Sequence, residues 1–358
     1  MELSFSNFKH SQNLPQQRDL FKDCFPETNG EAIQEAAHYM WKFHSFPNTA
    51  QSYEYASYIG SEMVGYYAAI PYRYSIGQKI VSVGMVCDVM TSSKHRGKGI
   101  FTKMGAYSTE KLSKEVPFAM GYPIRKEVIP GHLKVGWKIP FSLPLYIKFI
   151  RFDSLFKSKK IGFLSPLANG LIIIYNTLVK TNLTNLNKNY SFTLATNINE
   201  VEGYEAFVKE WSDEVPNALI KDLPFSIWRY SAPERTYKFL SIKNENNKLI
   251  GFVSFRNIIK DKVPSYGILD YMVLSKFESC HGLINRILMD FAKEDKVEAI
   301  MAMMSKSSAS KYRLFRNGFL KSPFVFQLII KNLTKEFRDE ELFSENKWHL
   351  MWVDSDDL

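Results

Sequence analysis

Apolar positions recur along the chain with two periods, and the changes between them divide it into elements. Over residues 31–44, EAIQEAAHYMWKFH, the side chains of Ile33, Ala36, Ala37, Met40 and Trp41 keep helical spacing. From residue 52 to 91 the spacing shortens around turns at Gly60-Ser61 and Gly77-Gln78, which predicts three antiparallel strands. A helix over 100–114, a strand over 118–122, a short helix over 127–134 and further strand in VGWKIPFSLPLYIKFI complete the first half. Beyond a Lys/Asn-rich link at 180–190 the order repeats. It gives a helix over 204–213, strands over 237–242, 249–259 and 266–274, a helix over 282–293, a strand over 299–304, a helix over 309–316 and a strand over 324–330. A meander followed by a crossover predicts an α+β fold, with a mixed, mostly antiparallel sheet flanked by helices in each half. The expected division is 1–155, a connecting helix and linker over 156–190, and a second unit over 191–358.

Two segments depart from this pattern. Residues 161–179, IGFLSPLANGLIIIYNTLV, carry no charge. Ser165-Pro166 opens a helix and Asn169-Gly170 interrupts the apolar run, leaving about fifteen residues where a bilayer needs ~20. A helix buried in the protein or between its units is expected, not a transmembrane segment, with peripheral membrane contact as the alternative. Residues 334–358 hold eight acidic against three basic residues, yet Trp348, Leu350, Met351, Trp352 and Val353 give this tail enough apolar surface to pack.

With 358 residues, 45% hydrophobic and 23% charged, the chain has the composition of a folded protein of two ordinary domains. Its net charge of +9 favours anionic ligands, but no long basic tail is present, so a polyanionic cofactor is expected before nucleic acid. Cys24, Cys87 and Cys280 are widely spaced and suggest neither a zinc site nor a disulfide framework. No metal is expected. The first twenty residues show no basic region followed by an apolar core, so a cytoplasmic location is the simplest expectation.

The candidate chemistry centres on VCDVMTSSKHRGKGIF, residues 86–101, where an apolar strand breaks at a basic glycine loop and continues as a helix. No acidic residue lies between Asp88 and Glu110, while Lys94, Arg96, Lys98 and Lys103 are cationic. The first amides of a helix lack internal partners and carry the positive end of its dipole. Glycines at 97 and 99 let backbone approach backbone, so this junction suits a pyrophosphate. A Walker loop is excluded because Ile100-Phe101 follows Gly99, and Thr102 occupies the third glycine position of a dinucleotide fingerprint.

This stretch resembles motif A of the GNAT acyltransferases: a strand, a polar turn, then R/Q-x-x-G-x-G/A opening a helix. Lys94 stands where Arg or Gln is usual, keeping charge but losing a planar side chain. GYPIRKEVIPGHLKVGWK is similar to the motif that follows in that superfamily, ending at Gly136-Trp137. The second half resembles a degenerate copy: it ends in Asn317-Gly318-Phe319, but LSKFESCHGLINRIL has one glycine and an acidic residue at the phosphate position. Paired active and degenerate GNAT units occur in Eis-like and FemAB-like branches.

The resemblance implies acetyl transfer from acetyl-CoA to a primary amine by direct attack. Cys87, Val89, Met90, Lys94, His95, Arg96, Gly97, Lys98, Gly99 and Ile100 would hold the cofactor, with backbone amides near the strand assisting the thioester carbonyl. A proton donor is needed for a departing thiolate of pKa ~8.5. His132 takes the position where the family often has Tyr, and Tyr122 is the other candidate. As base, Asp88 lies closest in sequence, although strand alternation points it away from Cys87 and Val89 unless a bulge intervenes. A carboxylate of the acidic C-terminus is the alternative. Cys87 reads as a buried strand residue rather than a nucleophile. Competing functions are FemAB-like aminoacyl transfer from aminoacyl-tRNA and a non-catalytic CoA- or partner-binding pair, and a homodimer is compatible with the helices.

Overall fold

The computed structural model describes residues 2–47, 51–181 and 190–355, so most of the 180–190 link lies outside it. The N-terminal half contains β1 (Leu3–Asn7), β2 (Tyr53–Ile59), β3 (Glu62–Ile76), β4 (Lys79–Thr91), β5 (Phe118–Gly121) and β6 (Ser142–Phe149). Its helices are α1 (His10–Cys24), α2 (Ala36–His44), α3 (Ile100–Leu112) and α4 (Ile129–Lys134), followed by α5 (Asp153–Ser158) and α6 (Ser165–Thr181). The C-terminal half contains β7 (Tyr190–Ala195), β8 (Asn217–Leu219), β9 (Lys238–Asn244), β10 (Leu249–Lys260), β11 (Val263–Val273), β12 (Ala299–Met303), β13 (Leu320–Gln327), β14 (Ile329–Asn332) and β15 (Trp348–His349). Its helices are α7 (Tyr204–Asp213), α8 (Leu223–Arg229), α9 (His281–Glu294), α10 (Lys306–Lys311) and α11 (Asp339–Phe343).

Two mixed sheets flanked by helices result, as the periodicity predicts. One runs β1-β2-β3-β4-β5-β14 with β8 and β15 attached to β3, and the other runs β13-β6-β12-β11-β10-β9-β7. In each, a long antiparallel meander is followed by a helix and one parallel strand: β4 with β5, and β11 with β12.

The halves exchange strands. β6, from the first half, lies antiparallel to β12 and β13, while β14, from the second, lies antiparallel to β5. Each parallel pair thus has its open edge covered by a strand of the other half, which moves the sheet edges out to β14 and β13. The boundary expected over 156–190 divides the sequence but is crossed by the sheets. The single strand expected over 324–330 is in fact two: β13 and β14 flank the fully buried Leu328 and belong to different sheets. The core follows this exchange. One apolar cluster runs from Tyr72, Tyr74 and Val83 through Phe252, Tyr271 and Met272 to Trp348 and Leu350 of the tail, which packs as expected. A smaller cluster of Tyr67, Val86, Met104, Leu112 and Trp137 fills the space between the first sheet and α3.

Polar contacts tie the halves together. Trp41 and Trp228 each donate an indole N–H to the other's backbone carbonyl at 2.9 Å, and their rings stack at 5.3 Å. Deeper in, the Lys221 ammonium lies 2.8 Å from Asp270 on β11 and 3.9 Å from Asp354 of the tail, with all three side chains almost fully buried. His349 Nε2 sits 3.2 Å from the same Asp270 oxygen, and Tyr312 contacts its Nδ1 at 3.0 Å.

The helix over 161–179 corrects the sequence expectation. α6 is not buried between units: most of its apolar side chains face solvent. The reason is that its docked side is narrow: Asn169 and Asn176 bind it to the ends of β6 and α5, and Tyr175 and Val179 rest beside Gly318, leaving the other apolar side chains outside.

Four buried imidazoles set the acid stability. Burial holds His38 and His281 down to about 3, and His132 and His349 down to about 4, so the fold keeps them neutral where the unfolded chain protonates them. Their contribution is present above the ordinary histidine value of ~6.5 and is lost as pH falls below it. Asp354 acts in the opposite sense: burial raises it to about 6, so the stability it contributes is present below the ordinary Asp value and lost as pH rises through about 6. Near pH 5, unfolding should take up about three protons net, and stability should fall by about 4 kcal/mol per pH unit on acidification. Denaturant titrations between pH 6.5 and 4.5 measure this slope; a flat profile would show that these rings are not held neutral.

Candidate functional site

The site begins where β4 and β5 part. They pair in parallel at Gly84–Ala119, Met85–Met120 and Val86–Gly121 only. At the last pair a Cβ on Gly121 would stand 3.2 Å from the Val86 carbonyl, so glycine permits the close approach. β5 then ends while β4 continues, and among the described residues 88–91 border no strand on that side.

A bulge marks the same point. Tyr66 pairs with Met90 and Ala68 with Cys87, so Tyr67 faces both Asp88 and Val89. Asp88 absorbs the extra residue with a φ of +48°. The bulge overturns the simple alternation: Cys87 and Met90 pack into the large core, Val89 packs toward α3, and Asp88 turns to α2. There its carboxylate meets Lys42 at 2.8 Å, both side chains being at most 10% exposed. Asp88 is thus engaged in a structural ion pair.

Beyond the strand lies the basic loop. A short turn, Ser93–His95, is anchored by Asp23 of α1, which accepts from the Ser93 amide at 2.7 Å and its hydroxyl at 2.6 Å. Burial opposes ionisation of Asp23, but the Ser93 bonds outweigh it and hold its pKa below the usual range. Gly97 and Gly99 have φ of +77° and +74°; a Cβ on Gly97 would meet nothing within 4 Å, so these positions need glycine for conformation rather than space. Lys103 is the first residue of α3 to donate into the helix, to Gly99 at 3.1 Å. The preceding amides have no intrahelical acceptor and lie in an exposed loop with Lys94, Arg96 and Lys98. His95 is half-buried, 3.7 Å from Glu62 and 3.3 Å from Lys98, while Ile100 roots the helix in the core. Lys331 of the exchanged β14 supports this helix from the far side, donating to Thr109 at 2.8 Å and to the Val135 carbonyl at 2.6 Å.

The acid–base candidates separate clearly. His132 is buried edge-on against Phe101 at 5.1 Å and Trp137 at 5.4 Å, with its pKa lowered by burial to about 4. It is a neutral ring in an aromatic cage. Tyr122 ends β5 at the parting of the strands; its hydroxyl is buried and has no hydrogen-bond partner among the described residues. Burial, and after it the negative charge of Asp354, keep that hydroxyl protonated well above its ordinary pKa. The sequence suggested the acidic tail without singling out a residue. In the structure Asp354 is the carboxylate that reaches this region, accepting from the Met351 amide at 2.8 Å and lying 3.4 Å from the Tyr74 hydroxyl. The equivalent junction in the second half is closed by protein groups: Glu214 accepts the Ser275 amide at 2.8 Å, and Glu278 pairs with Arg313.

Residues 9–139 match the family model of the GNAT acetyltransferase domain. That segment is a GNAT-type acetyltransferase domain. Solved structures share the fold of nearly the whole chain. A GCN5-related N-acetyltransferase from Anabaena variabilis superposes with a TM-score of 0.64 at 13% identity, covering 93% of this chain and 73% of that one. A "Probable N-Acyltransferase" from Enterococcus faecalis gives 0.64 at 9% identity with the same coverage. The N-myristoyltransferase of Saccharomyces cerevisiae, solved with myristoyl-CoA, gives 0.60 at 11% identity, covering 92% and 82%. No curated protein matches the sequence significantly. Among the described residues there is no cluster of potential metal ligands.

The ion pair at the bulge carries its own test. Lys42→Met leaves Asp88 buried without its cation and should cost about 3–5 kcal/mol, measured by chemical denaturation. Combining it with Asp88→Asn should restore a large part. A single-variant cost below about 1 kcal/mol would show that the pair is solvated instead.

Proposed function

We propose that the chain transfers an acetyl group from acetyl-CoA to a primary amine by direct attack within a ternary complex. The observation that carries this reading is the junction of a parted β4, an exposed basic loop with two left-handed glycines, and the open N-terminus of α3. The loop amides with Lys94, Arg96 and Lys98 suit a pyrophosphate, and the edge of β4 beyond Cys87 suits the amides of a pantetheine arm. This intact loop favours CoA over aminoacyl-tRNA as donor. The buried thiols of Cys24, Cys87 and Cys280 suit a reducing, cytoplasmic setting.

Tyr122 is assigned the acid that protonates the departing thiolate, because its hydroxyl is protonated and uncommitted where the strands part. His132 is set aside: at neutral pH it carries no imidazolium proton to give. Of the carboxylates, Asp88 is paired with Lys42, and Asp354, buried beside Lys221 and bonded to the Met351 amide, is assigned the base because its pKa of about 6 lies near neutrality; the ammonium proton would reach it by relay and not by direct contact with the acceptor. The acceptor amine, on a small molecule or a peptide, would enter from the side of the tail.

Calorimetry with acetyl-CoA tests the loop. The native chain should bind, and Gly97→Glu and Arg96→Glu should each abolish binding, Arg96→Glu with the melting temperature nearly unchanged and Gly97→Glu with a drop of a few degrees from the strain of a side chain at a left-handed position; no binding by the native chain would overturn the proposal. For the chemistry, Tyr122→Phe should lower kcat by about 10²–10³ with little change in the KM for acetyl-CoA. Asp354→Asn should remove the acidic limb of the pH–rate profile near pH 6. An unchanged limb would remove Asp354 from the reaction.

A further inference from the structure

α6 is amphipathic in the reverse of the usual sense. Its docked side presents Ser165, Asn169 and Asn176 to the protein: Asn169 accepts the Phe152 amide and donates to Asp153, both at 2.8 Å, and Asn176 donates to the Phe149 carbonyl at 3.0 Å. Its outer side carries Leu167, Leu171, Ile174 and Leu178, at spacings of four, three and four, each 60–67% exposed. Phe163, in the turn just before the helix, is 80% exposed. A water-facing helix places these residue types the other way round. Next to it, the turn Phe315–Asn317 packs against α6 and leaves Phe315 exposed, extending the apolar surface.

The charge around this surface is mostly positive. Residues 154–181 and 299–335 contain no Asp or Glu, and the carboxylates next to them are engaged: Asp153 by Arg151 and Asn169, and Glu298 by Ser154. Lys157, Lys159 and Lys160 stand exposed just before the helix, and Arg316 and Lys321 stand exposed on the neighbouring turn and on β13. A second copy docked here would set these cations against their own counterparts, which opposes that occupant. Nor is α6 poised to span a bilayer, since its two asparagines bind it lengthwise to folded elements.

We propose that α6 is an in-plane membrane anchor that seats the protein on an anionic lipid surface, with its leucine and isoleucine face in the acyl boundary and the flanking lysines among the headgroups. Apolar burial and attraction to acidic lipid add in such a helix, so both should be required for firm binding.

Co-sedimentation of the full chain with vesicles of phosphatidylcholine alone, or with about one quarter phosphatidylglycerol, tests this. Binding should be strong only to the anionic vesicles and should weaken with salt. Replacing Lys157, Lys159 and Lys160 together by Gln should weaken it on the order of a hundredfold, from ~1 kcal/mol per cation. Leu171→Glu with Ile174→Glu should abolish it, and because these side chains face solvent, the melting temperature should stay within a few degrees of native. Three results would overturn the proposal: no vesicle binding, equal binding to neutral and anionic vesicles, or a dimer in sedimentation velocity that the Leu171→Glu/Ile174→Glu variant dissociates. Resistance to extraction by alkaline carbonate would overturn it in favour of a spanning helix.

Discussion

Each sheet carries a bulge on the meander strand that enters its parallel pair, β4 or β11, and at each bulge a buried lysine meets an aspartate at 2.8 Å. In the first sheet the bulge falls at Asp88 and Val89, with Lys42 reaching in from α2. In the second, Ser254 pairs with Asp270 and Phe255 with Ile268, so Leu269 is the extra residue and Lys221 answers Asp270. Removing one partner of such a pair leaves a charge without water, so the element that supplies the lysine has little freedom to move. That constraint fixes α2 over the first half and the entry to α8 over the second. The Trp41–Trp228 contact then joins these same two elements, so the bulges also determine how the halves meet.

The two halves share a framework and differ in what occupies the turn after it. Behind β4, Gly97 and Gly99 take left-handed conformations in an exposed loop. Behind β11, the segment Ser275–Cys280 is a kinked 3-10 turn whose first amide is taken by Glu214. An acidic side chain supplies there, from within the protein, what an anionic ligand would supply in the first half. The second unit instead contributes β14, whose Lys331 braces α3, and the tail that carries Asp354.

The legible parts of the sequence were the local ones. Strand, glycine loop and helix follow one another within thirty residues, and their chemistry is written in Gly97, Gly99 and an absence of acids. The alternation of helices and strands was equally plain, because it depends on spacing along the chain. What spacing does not encode is partnership. The exchange of β6 and β14 depends on pairings between residues that lie 150 or more positions apart, and the β13–β14 break at Leu328 has no glycine or proline to announce it. The Asp88 bulge was hidden for a similar reason: an aspartate adopts the left-handed conformation that a glycine would have advertised. β1 was missed because five alternating residues at the N-terminus make too short a signal. For α6, the uncharged run was visible, but which side docks was decided by Asn169 and Asn176, which in the sequence read as interruptions of an apolar helix.

Asp354 illustrates how stability and chemistry become joined in this arrangement. Burial raises its pKa to about 6 while Lys221 pulls it back, so its protonation depends on how far the ammonium stands from it. That distance, 3.9 Å, is set by Asp270, which holds Lys221 more closely and whose carboxylate the ammonium keeps below the ordinary range despite complete burial. The tail is therefore not an appendage to the site. Its apolar residues secure it in the core, Arg229 fixes its course through the carbonyls of Val353 and Ser355, and the same path places a carboxylate near Tyr122. A shift of the second sheet that lengthened the Lys221–Asp354 separation would raise the Asp354 pKa further, leave its carboxyl neutral over more of the pH range, and so weaken the electrostatic hold on the Tyr122 proton. The second half, which has no glycine loop of its own, thus meets the tail through one buried ammonium.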